Sequence, residues 1–476
     1  MHAGLLLLFG NLVAAIANLI RNILAARLLE VSDFGIANTF TILIILMNIV
    51  FALGLGTFIV QDREGESPVL MATAHTLTLA QGGLAALLML AGAAPFAAFM
   101  GAPEATWAFA GLAVTALMLG GQNLDYHRQQ RASVFRATMI ISAVPIVGST
   151  LVLWPLVAVF GDWRAMFWVL IVQMTLTLIL THLLAQRRWR AGLDRIIARR
   201  ALAFGLPLLG DSLFFVAMLN TDRMVIANRF GLEVLAFFSV AFMLTVLPVS
   251  ILTRSLQTIF VARLAQLRDA PEAFAPMARL TAQTFLAASL ALAVGFALAG
   301  PTLVLILYGT RYGEAIPFLL ILGVMQGLRL MRAGPLSLAL ATGRSTPNLI
   351  ASATRFGFIV IAVIAAYGGM EIRGFLLIGV AGELAALCVA FWAVRGGFGR
   401  GAGVSELALA LALMLVTFGA ILALSDRPAP AGLWPLDLVW GHGGVAVLAL
   451  VTLALLRSLW RWLITEMSRR RKEPAS

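Results

Sequence analysis

Long apolar runs separated by short polar segments make up most of the chain. A membrane-spanning helix needs about 17–25 predominantly apolar residues, and fourteen windows of that kind can be placed along the sequence. They cover approximately residues 5–29, 34–60, 70–98, 104–122, 138–160, 164–185, 202–230, 234–262, 280–308, 315–342, 347–367, 374–395, 404–424 and 438–459. The pattern predicts an all-α polytopic membrane protein with about fourteen transmembrane helices.

The basic residues are distributed unequally among the segments that connect these windows. Of the 34 Lys and Arg residues, those in odd-numbered connections are Arg164, Arg311, Arg373 and Arg427. The positive-inside rule therefore predicts that the even-numbered connections and both termini lie in the cytoplasm. Residues 186–200 and 468–472 are strongly basic. The first segment is expected to form an amphipathic helix on the anionic leaflet, either as an orientation signal or as a lipid-binding element.

Composition removes several classes of protein. The chain has 476 residues, of which 61% are hydrophobic and 12% charged, whereas soluble domains carry about 25% charged residues. The net charge of +12 does not indicate a nucleic-acid partner, because the arginines are scattered among apolar runs. The sequence has no Walker A, dinucleotide-binding, HExxH or GxSxG motif. We therefore expect a membrane protein without enzymatic activity, cofactor or metal.

A polar motif occurs twice within the predicted helices. Its two copies consist of Asn18, Arg21, Ala25 and Arg27, and of Asn220, Arg223, Ala227 and Arg229. The copies are separated by six predicted spans, so they have the same orientation, as in parallel transporter repeats. The repeat predicts two pseudo-symmetric six-helix lobes, residues 1–185 and 202–400, joined by a cytoplasmic basic linker, 186–201. Residues 401–476 would add two peripheral helices and a basic tail.

Eight arginines remain inside the predicted spans, and they are Arg21, Arg27, Arg223, Arg229, Arg254, Arg329, Arg332 and Arg355. Each costs about 2.5–3.5 kcal/mol at mid-helix, so the central ones need partners, water or a ligand. Arg27 and Arg229 lie at helix ends, from which they can reach the interface. The deeper residues on polar helix faces are predicted to bind an anionic substrate, and they are Arg21, Arg254, Arg329, Arg332 and Arg355.

The acidic residues inside the spans are fewer. Asp211 and Asp222 are predicted to form either an intramembrane ion-pair network or a coupling-ion site. Glu383 stands alone in its span and is a candidate proton-carrying carboxyl group. His75 and Gln81 are expected to form a hydrogen-bonded packing pair. The GxxxG motif at residues 323–327 predicts close helix packing.

Three stretches resemble a known family. The segment Asn22-Ile-Leu-Ala-Ala-Arg27-Leu-Leu-Glu-Val-Ser-Asp33-Phe-Gly35, residues 52–61 and residues 204–254 are similar to the opening helix and to the second, seventh and eighth spans of the polysaccharide transporters. These O-antigen-flippase-like proteins form a branch of the multidrug/oligosaccharidyl-lipid/polysaccharide (MOP) exporter superfamily.

The resemblance implies a flippase that moves undecaprenyl-diphosphate-linked oligosaccharide units across the cell inner membrane by alternating access. Its products would serve O-antigen (lipopolysaccharide), capsule or exopolysaccharide biosynthesis. Expected partners are the lipid-linked oligosaccharide, membrane lipids, H+ or Na+ as a coupling ion, and the polysaccharide polymerase machinery. A flippase for peptidoglycan lipid precursors is the close alternative. A multidrug exporter of the same superfamily fits less well, because its cavity should be acidic.

Overall fold

The structure is a computed structural model that describes residues 2–398, 402–425, 445–447, 449–454, 456 and 460. Within these ranges, the side chains of residues 2–9, 11, 207, 208, 210, 211, 213–219, 402–404 and 406 are not described. The predicted span at 438–459 lies partly, and the basic tail at 468–472 wholly, outside the described residues.

The described residues form α-helices joined by short turns. In chain order they are α1 (His2–Leu28), α2 (Val31–Val50), α3 (Leu55–Gln61), α4 (Pro68–Phe99), α5 (Thr106–Gly111), α6 (Ala113–Gly120), α7 (Asp125–Arg131), α8 (Arg136–Phe160), α9 (Arg164–Leu183), α10 (Arg195–Phe230), α11 (Leu232–Gln266), α12 (Pro271–Tyr308), α13 (Ala315–Ala341), α14 (Thr346–Tyr367), α15 (Ile372–Val394) and α16 (Ala402–Leu424). The chain divides into two compact units, Met1–Ala236 and Phe237–Ser476.

Many of these helices can cross a membrane. Within the described residues, ten are long and apolar enough, or eleven if Pro103–Gly120 and Asp125–Arg131, bent by 47°, count as one span. Large apolar side chains on several helices are exposed, among them Leu151 at 72% and Ile364 at 67%. Such surfaces need lipid to cover them, so the chain is a multi-pass membrane protein. The count of fourteen spans and the arrangement of two six-helix lobes remain predictions.

The basic segment between α9 and α10 differs from the prediction. Residues 186–194, here called the strap, are not helical, so the amphipathic helix expected over 186–200 is wrong. Thr76 Oγ1 donates to the Gly192 carbonyl at 2.8 Å, and the Asp194 amide donates to Thr73 Oγ1 at 3.1 Å. The helix begins only at Arg195, because the Asp194 carboxylate accepts from two amides of its first turn. Side chains of α4 thus bond strap backbone groups that a helix would have paired internally.

The unit Met1–Ala236 has an aromatic centre in which Phe40 packs edge-on against Phe109 and Trp163, with ring centroids 5.1 and 5.8 Å apart. The expected pairing of His75 with Gln81 is wrong. Gln81 donates to the Val50 carbonyl at 2.7 Å, whereas both ring nitrogens of His75 bond backbone groups elsewhere. Residues six apart on an α-helix point to different sides, which separates the two side chains.

The two copies of the sequence motif occupy the same position in their helices. Arg27 is the last residue but one of α1, and Arg229 the last but one of α10. Both arginines are exposed, whereas Ala25 and Ala227 are buried. The prediction that both arginines lie at helix ends is confirmed.

In the unit Phe237–Ser476, α13 is the central helix, with 78% of its most apolar segment buried. It packs against α12, α15 and α16. A Cβ atom on Gly323 would lie 3.2 Å from Phe296 Cβ, and one on Gly327 would lie 2.8 Å from Phe418 Cζ. The prediction of close packing at this GxxxG motif is therefore confirmed, and it brings polar groups of α13 close to their neighbours.

Candidate functional site

A single buried carboxylate gathers three of the predicted arginines. Glu383 on α15 is fully buried. Its Oε1 atom lies 3.0 Å from Arg329 Nε and 2.7 Å from Arg355 Nε, and its Oε2 atom lies 3.3 Å from Arg332 Nη2. These four residues, called here the Arg–Glu cluster, come from three helices of one unit.

Local sequence features place the four side chains. Arg329 and Arg332 are three residues apart on α13, a spacing that puts them on neighbouring positions of the helix surface. Arg355 lies on α14, and Glu383 lies on the adjoining α15. Gly382 allows these two helices to approach closely, because a Cβ atom there would lie 2.7 Å from Phe358 Cβ. The close approach of α14 and α15 brings Arg355 to Glu383.

The cluster carries more positive than negative charge. Three guanidinium groups surround one carboxylate, so its formal charge is +2 when all four groups are ionised. Arg332 and Arg355 are 9% and 6% exposed. Arginine cannot lose its proton in proteins, and the surplus charge therefore stays on a largely buried site. A buried site with surplus charge is suited to an anionic ligand.

Two polar side chains of α13 have unused hydrogen-bonding capacity. Arg332 Nε has no hydrogen-bond partner in the described part of the chain. Gln326 lies one turn before Arg329 on α13 and is fully buried, and neither atom of its side-chain amide makes a hydrogen bond to described residues. Buried polar groups are nearly always satisfied, by protein or by an ordered molecule. The unmet donors and acceptor are therefore evidence that a polar ligand or water belongs beside the cluster.

Arg21 occupies a separate site in the unit Met1–Ala236. Its guanidinium donates to Gln173 Oε1, to Asn18 Oδ1 at 2.9 Å and to Ser149 Oγ at 3.3 Å. These partners are all neutral, and Arg21 forms no ion pair with any described residue. Neutral oxygens on α1, α8 and α9 thus hold this cation with its charge uncompensated.

Arg254 and Asp222 lie on helices that contribute to neither of the two arrangements. Arg254 is exposed on α11. Asp222 is half-buried on α10, adjacent in sequence to Arg223. The side chain of Asp211 lies outside the described residues. Of the predicted residues in the unit Phe237–Ser476, the structure brings together Arg329, Arg332, Arg355 and Glu383, and Arg254 forms no ion pair with them.

Sequence reasoning missed an ionic network at the bend between α6 and α8. Arg128 Nε lies 2.6 Å from Asp125 Oδ1, and Arg128 Nη1 lies 3.3 Å from Glu66 Oε2. Asp125 also accepts from the amide of Gln186, at the start of the strap. The Asp125–Arg128 spacing of three residues was a visible signal of a helical ion pair. The network joins α7 to the strap, and its role is to hold these two segments together.

Family membership is shown by a family model that matches more than half of the chain. A family model described as "Polysaccharide biosynthesis protein" matches residues 23–317. The chain belongs to this family. The match confirms the resemblance noted in the sequence; it includes Arg254 but begins after Arg21 and ends before the Arg–Glu cluster. No curated protein matches the chain.

Solved structures of MOP-type transporters share the fold. The chain is similar to the lipid II flippase MurJ in an inward closed conformation, with a TM-score of 0.67 at 13% identity, over 97% of this chain and 100% of that one. It is also similar to an inward-facing MATE-family multidrug resistance transporter, with a TM-score of 0.64 at 19% identity, over 81% and 94% of the two chains.

A third similar structure is a MOP superfamily transporter from Pyrococcus furiosus, with a TM-score of 0.55 at 19% identity, over 85% and 95% of the two chains. That transporter is described as having a binding pocket of reverse polarity. At these identities the similarities are evidence for the fold. That fold is the MOP transporter fold, whose members in this comparison are flippases and exporters.

Proposed function

We propose that the chain is a flippase that carries undecaprenyl-diphosphate-linked oligosaccharide units from the cytoplasmic to the outer leaflet of the inner membrane, for surface polysaccharide biosynthesis. The observation that carries the proposal is the Arg–Glu cluster, in which three arginines and one carboxylate share a largely buried site. In this proposal Arg329, Arg332 and Arg355 bind the diphosphate.

The charge of the cluster suits this substrate. A diphosphate esterified at both ends, to a polyprenol and to a sugar, carries one negative charge on each phosphate. The cluster has a formal charge of +2 with Glu383 ionised, so substrate and site together are neutral. Moving an uncompensated charge into hydrocarbon costs several kcal/mol or more, and mutual neutralisation lowers that cost. Glu383 thus lowers the formal charge of three arginines to +2, which matches the two negative charges of the diphosphate.

The geometry of arginine supports the same assignment. A guanidinium group offers five N–H donors in a planar fork, which matches two oxygens of a phosphate at once. Each arginine uses only part of that fork on Glu383. The unpaired Nε atom of Arg332 and the amide of Gln326 supply further donors for phosphate oxygens or a sugar hydroxyl group.

Transport would follow alternating access, in which two halves rock around the bound headgroup while the lipid tail remains in the bilayer. Arg21 and Arg254 are proposed as further contacts along the path, because each is a cation without an acidic partner among the described residues. H+ or Na+ is the proposed coupling ion, with Glu383, Asp211 and Asp222 as candidate carriers. Both termini would lie in the cytoplasm, as the distribution of arginines predicts.

A flippase for peptidoglycan lipid precursors is the second candidate. It is favoured by the similarity to the lipid II flippase over 97% of the chain, and its substrate has the same diphosphate chemistry. The glycan distinguishes the two candidates. A multidrug exporter is disfavoured by the positive charge of the cluster, which repels cationic drugs.

The test is flipping in proteoliposomes loaded with a fluorescent polyprenyl-diphosphate-linked sugar. We expect Arg329→Ala and Arg332→Ala each to abolish flipping. Arg268→Ala should retain the wild-type rate, because Arg268 is exposed and its one ion pair among the described residues is with its exposed neighbour Asp269. Wild-type flipping by both cluster variants would refute the assignment. Competition between unlabelled polysaccharide repeat units and peptidoglycan precursors identifies the preferred glycan.

A further inference from the structure

A second basic site lies in the unit Met1–Ala236, and its lining includes none of the residues proposed to move the substrate. It is a cavity of about 300 Å³ between the strap and the first turns of α4. Arg187, Arg188 and Arg190 of the strap line it, together with His75 and Asn123. Pro68, Met71 and Ala72 form an apolar wall on the α4 side. The volume is at the lower end of the range for small-molecule sites, about 300–1,000 Å³.

The strap presents its arginines from an ordered backbone. Asn123 Nδ2 donates to the Arg187 carbonyl at 2.9 Å, and His75 Nδ1 lies 3.3 Å from the Arg190 carbonyl. The Trp189 ring stacks on the His75 ring with centroids 5.5 Å apart. The backbone carbonyl groups of Arg187 and Arg190 are thus fixed by hydrogen bonds, and Arg188 lies between Arg187 and the stacked Trp189. Such preorganisation lowers the entropic cost of binding.

The cavity has an excess of positive charge. Arg187 pairs with Glu66 at 3.3 Å, but Arg188 and Arg190 form no ion pair with any described residue, and no acidic side chain is among the lining residues. The α4 helix begins at Pro68, and its N-cap residue Ser67 makes no side-chain capping bond. Pro68, the first residue of α4, lines the cavity, so the N-terminal end of this helix lies at its edge, and helix N-termini favour anions.

We propose that this cavity binds the phosphate ester of an anionic membrane lipid. Arginine forks and a helix N-terminus supply the phosphate chemistry, and the apolar wall formed by Pro68, Met71 and Ala72 suits the glycerol and upper acyl region. The strap is one of the connections predicted to face the cytoplasm, where the leaflet carries anionic lipids. Soluble phosphate shares the headgroup chemistry and is the other source of such a ligand.

A lipid in this cavity would affect the connection between α9 and α10. A lipid bound by Arg188 and Arg190 would bridge the strap and α4, adding to the hydrogen bonds that already hold the strap. Lipid binding would therefore stabilise the folded protein, by an amount that rises with the logarithm of the lipid concentration once the site is mostly occupied. This inference does not depend on what the protein transports, because none of the residues involved belongs to the Arg–Glu cluster.

The test measures lipid binding to the purified full-length protein by native mass spectrometry. The probes are phosphatidylglycerol, phosphatidylcholine and inorganic phosphate. The test variant is Arg188→Gln/Arg190→Gln. The matched control is Arg195→Gln/Arg199→Gln, which removes two exposed arginines of the same basic segment that do not line the cavity.

We expect wild type and control to prefer phosphatidylglycerol, and the test variant to bind it about 100-fold more weakly, since each of the two lost charge-assisted contacts is worth about one decade in affinity. Arg188→Lys/Arg190→Lys should fall between them, because it keeps the charge and loses the fork. Displacement of the lipid by inorganic phosphate would show that the phosphate group alone is recognised, and no displacement would assign the site to lipid. Equal losses in test and control variants, or no loss in either, would overturn the proposal.

Discussion

Arg21 and the Arg–Glu cluster are two ways of holding arginine inside a membrane protein. Arg21 is bonded to Asn18, Ser149 and Gln173, all neutral. In the cluster, Arg329, Arg332 and Arg355 share one buried carboxylate. The first site leaves a single cation uncompensated, whereas the second compensates one charge in three. Both sites keep positive charge. Only the cluster contains a carboxylate, Glu383, and its removal would leave three positive charges side by side without a counterion.

A polar helix face in the sequence therefore does not by itself predict whether an arginine on it is neutralised by an acidic partner. Neutral amide and hydroxyl groups can satisfy the hydrogen bonds of a guanidinium group without changing its charge. A shared carboxylate instead makes the charges interdependent, because each buried arginine depends on the same counterion. Substitutions in the two sites should therefore separate effects on stability from effects on transport.

The largest effect on stability is expected for Glu383→Gln. The amide leaves three guanidinium groups around a neutral side chain, and breaking a buried ion pair by removing one partner costs about 3–5 kcal/mol. Thermal unfolding of the purified protein should show a large fall in melting temperature. The matched control is Glu272→Gln, an exposed carboxylate in the first turn of α12. A wild-type melting temperature for Glu383→Gln would contradict the charge dependence of the cluster.

A second substitution should reverse part of that loss. Arg332→Gln in the Glu383→Gln background returns the cluster to two positive charges, so the double variant should be more stable than the sum of the single effects. Coupling between residues of one ionic network is typically about 0.5–3 kcal/mol. A double-mutant cycle of unfolding measures it. Strict additivity would mean that Arg332 and Glu383 do not interact at their 3.3 Å separation.

A smaller change in stability is expected for Arg21→Met. The substitution leaves amide and hydroxyl groups of α1, α8 and α9 without their donor, but it also removes a cation that is costly in the membrane. These effects offset each other, and we expect the free energy of unfolding to change by no more than about 1 kcal/mol. Flipping should nevertheless fall, because a proposed substrate contact is lost. A large loss of stability with unchanged flipping of the folded fraction would reverse this interpretation of Arg21.

The smallest stability effect is expected for Arg254→Gln. Its side chain is exposed on α11, and substitutions of exposed residues usually change stability by no more than about 0.5 kcal/mol. We expect flipping to decrease less than in Arg329→Ala, with an unchanged melting temperature. Flipping at the full wild-type rate would remove Arg254 from the proposed path.

The sequence predicted an all-helical chain and the helix-end positions of Arg27 and Arg229, because apolar length and helical spacing are local properties. It could not predict that Arg355 and the two arginines of α13 meet at Glu383. That meeting depends on how α13, α14 and α15 pack, including the close approach at Gly382. The same limit explains the strap, whose hydrogen-bond partners Thr73 and Thr76 lie more than a hundred residues earlier. Only the N-cap at Asp194 was a local signal against the expected helix.

Binding of a polyprenyl-diphosphate-linked sugar to the purified protein tests the central claim most directly. The dissociation constant should be measured for wild type, Arg329→Gln/Arg332→Gln and the exposed control Arg268→Gln. If the Arg–Glu cluster binds the diphosphate, the double variant should weaken binding by about 100-fold, one decade for each lost charge-assisted contact, and the control should match wild type. A double variant that binds the ligand as tightly as wild type would contradict the claim.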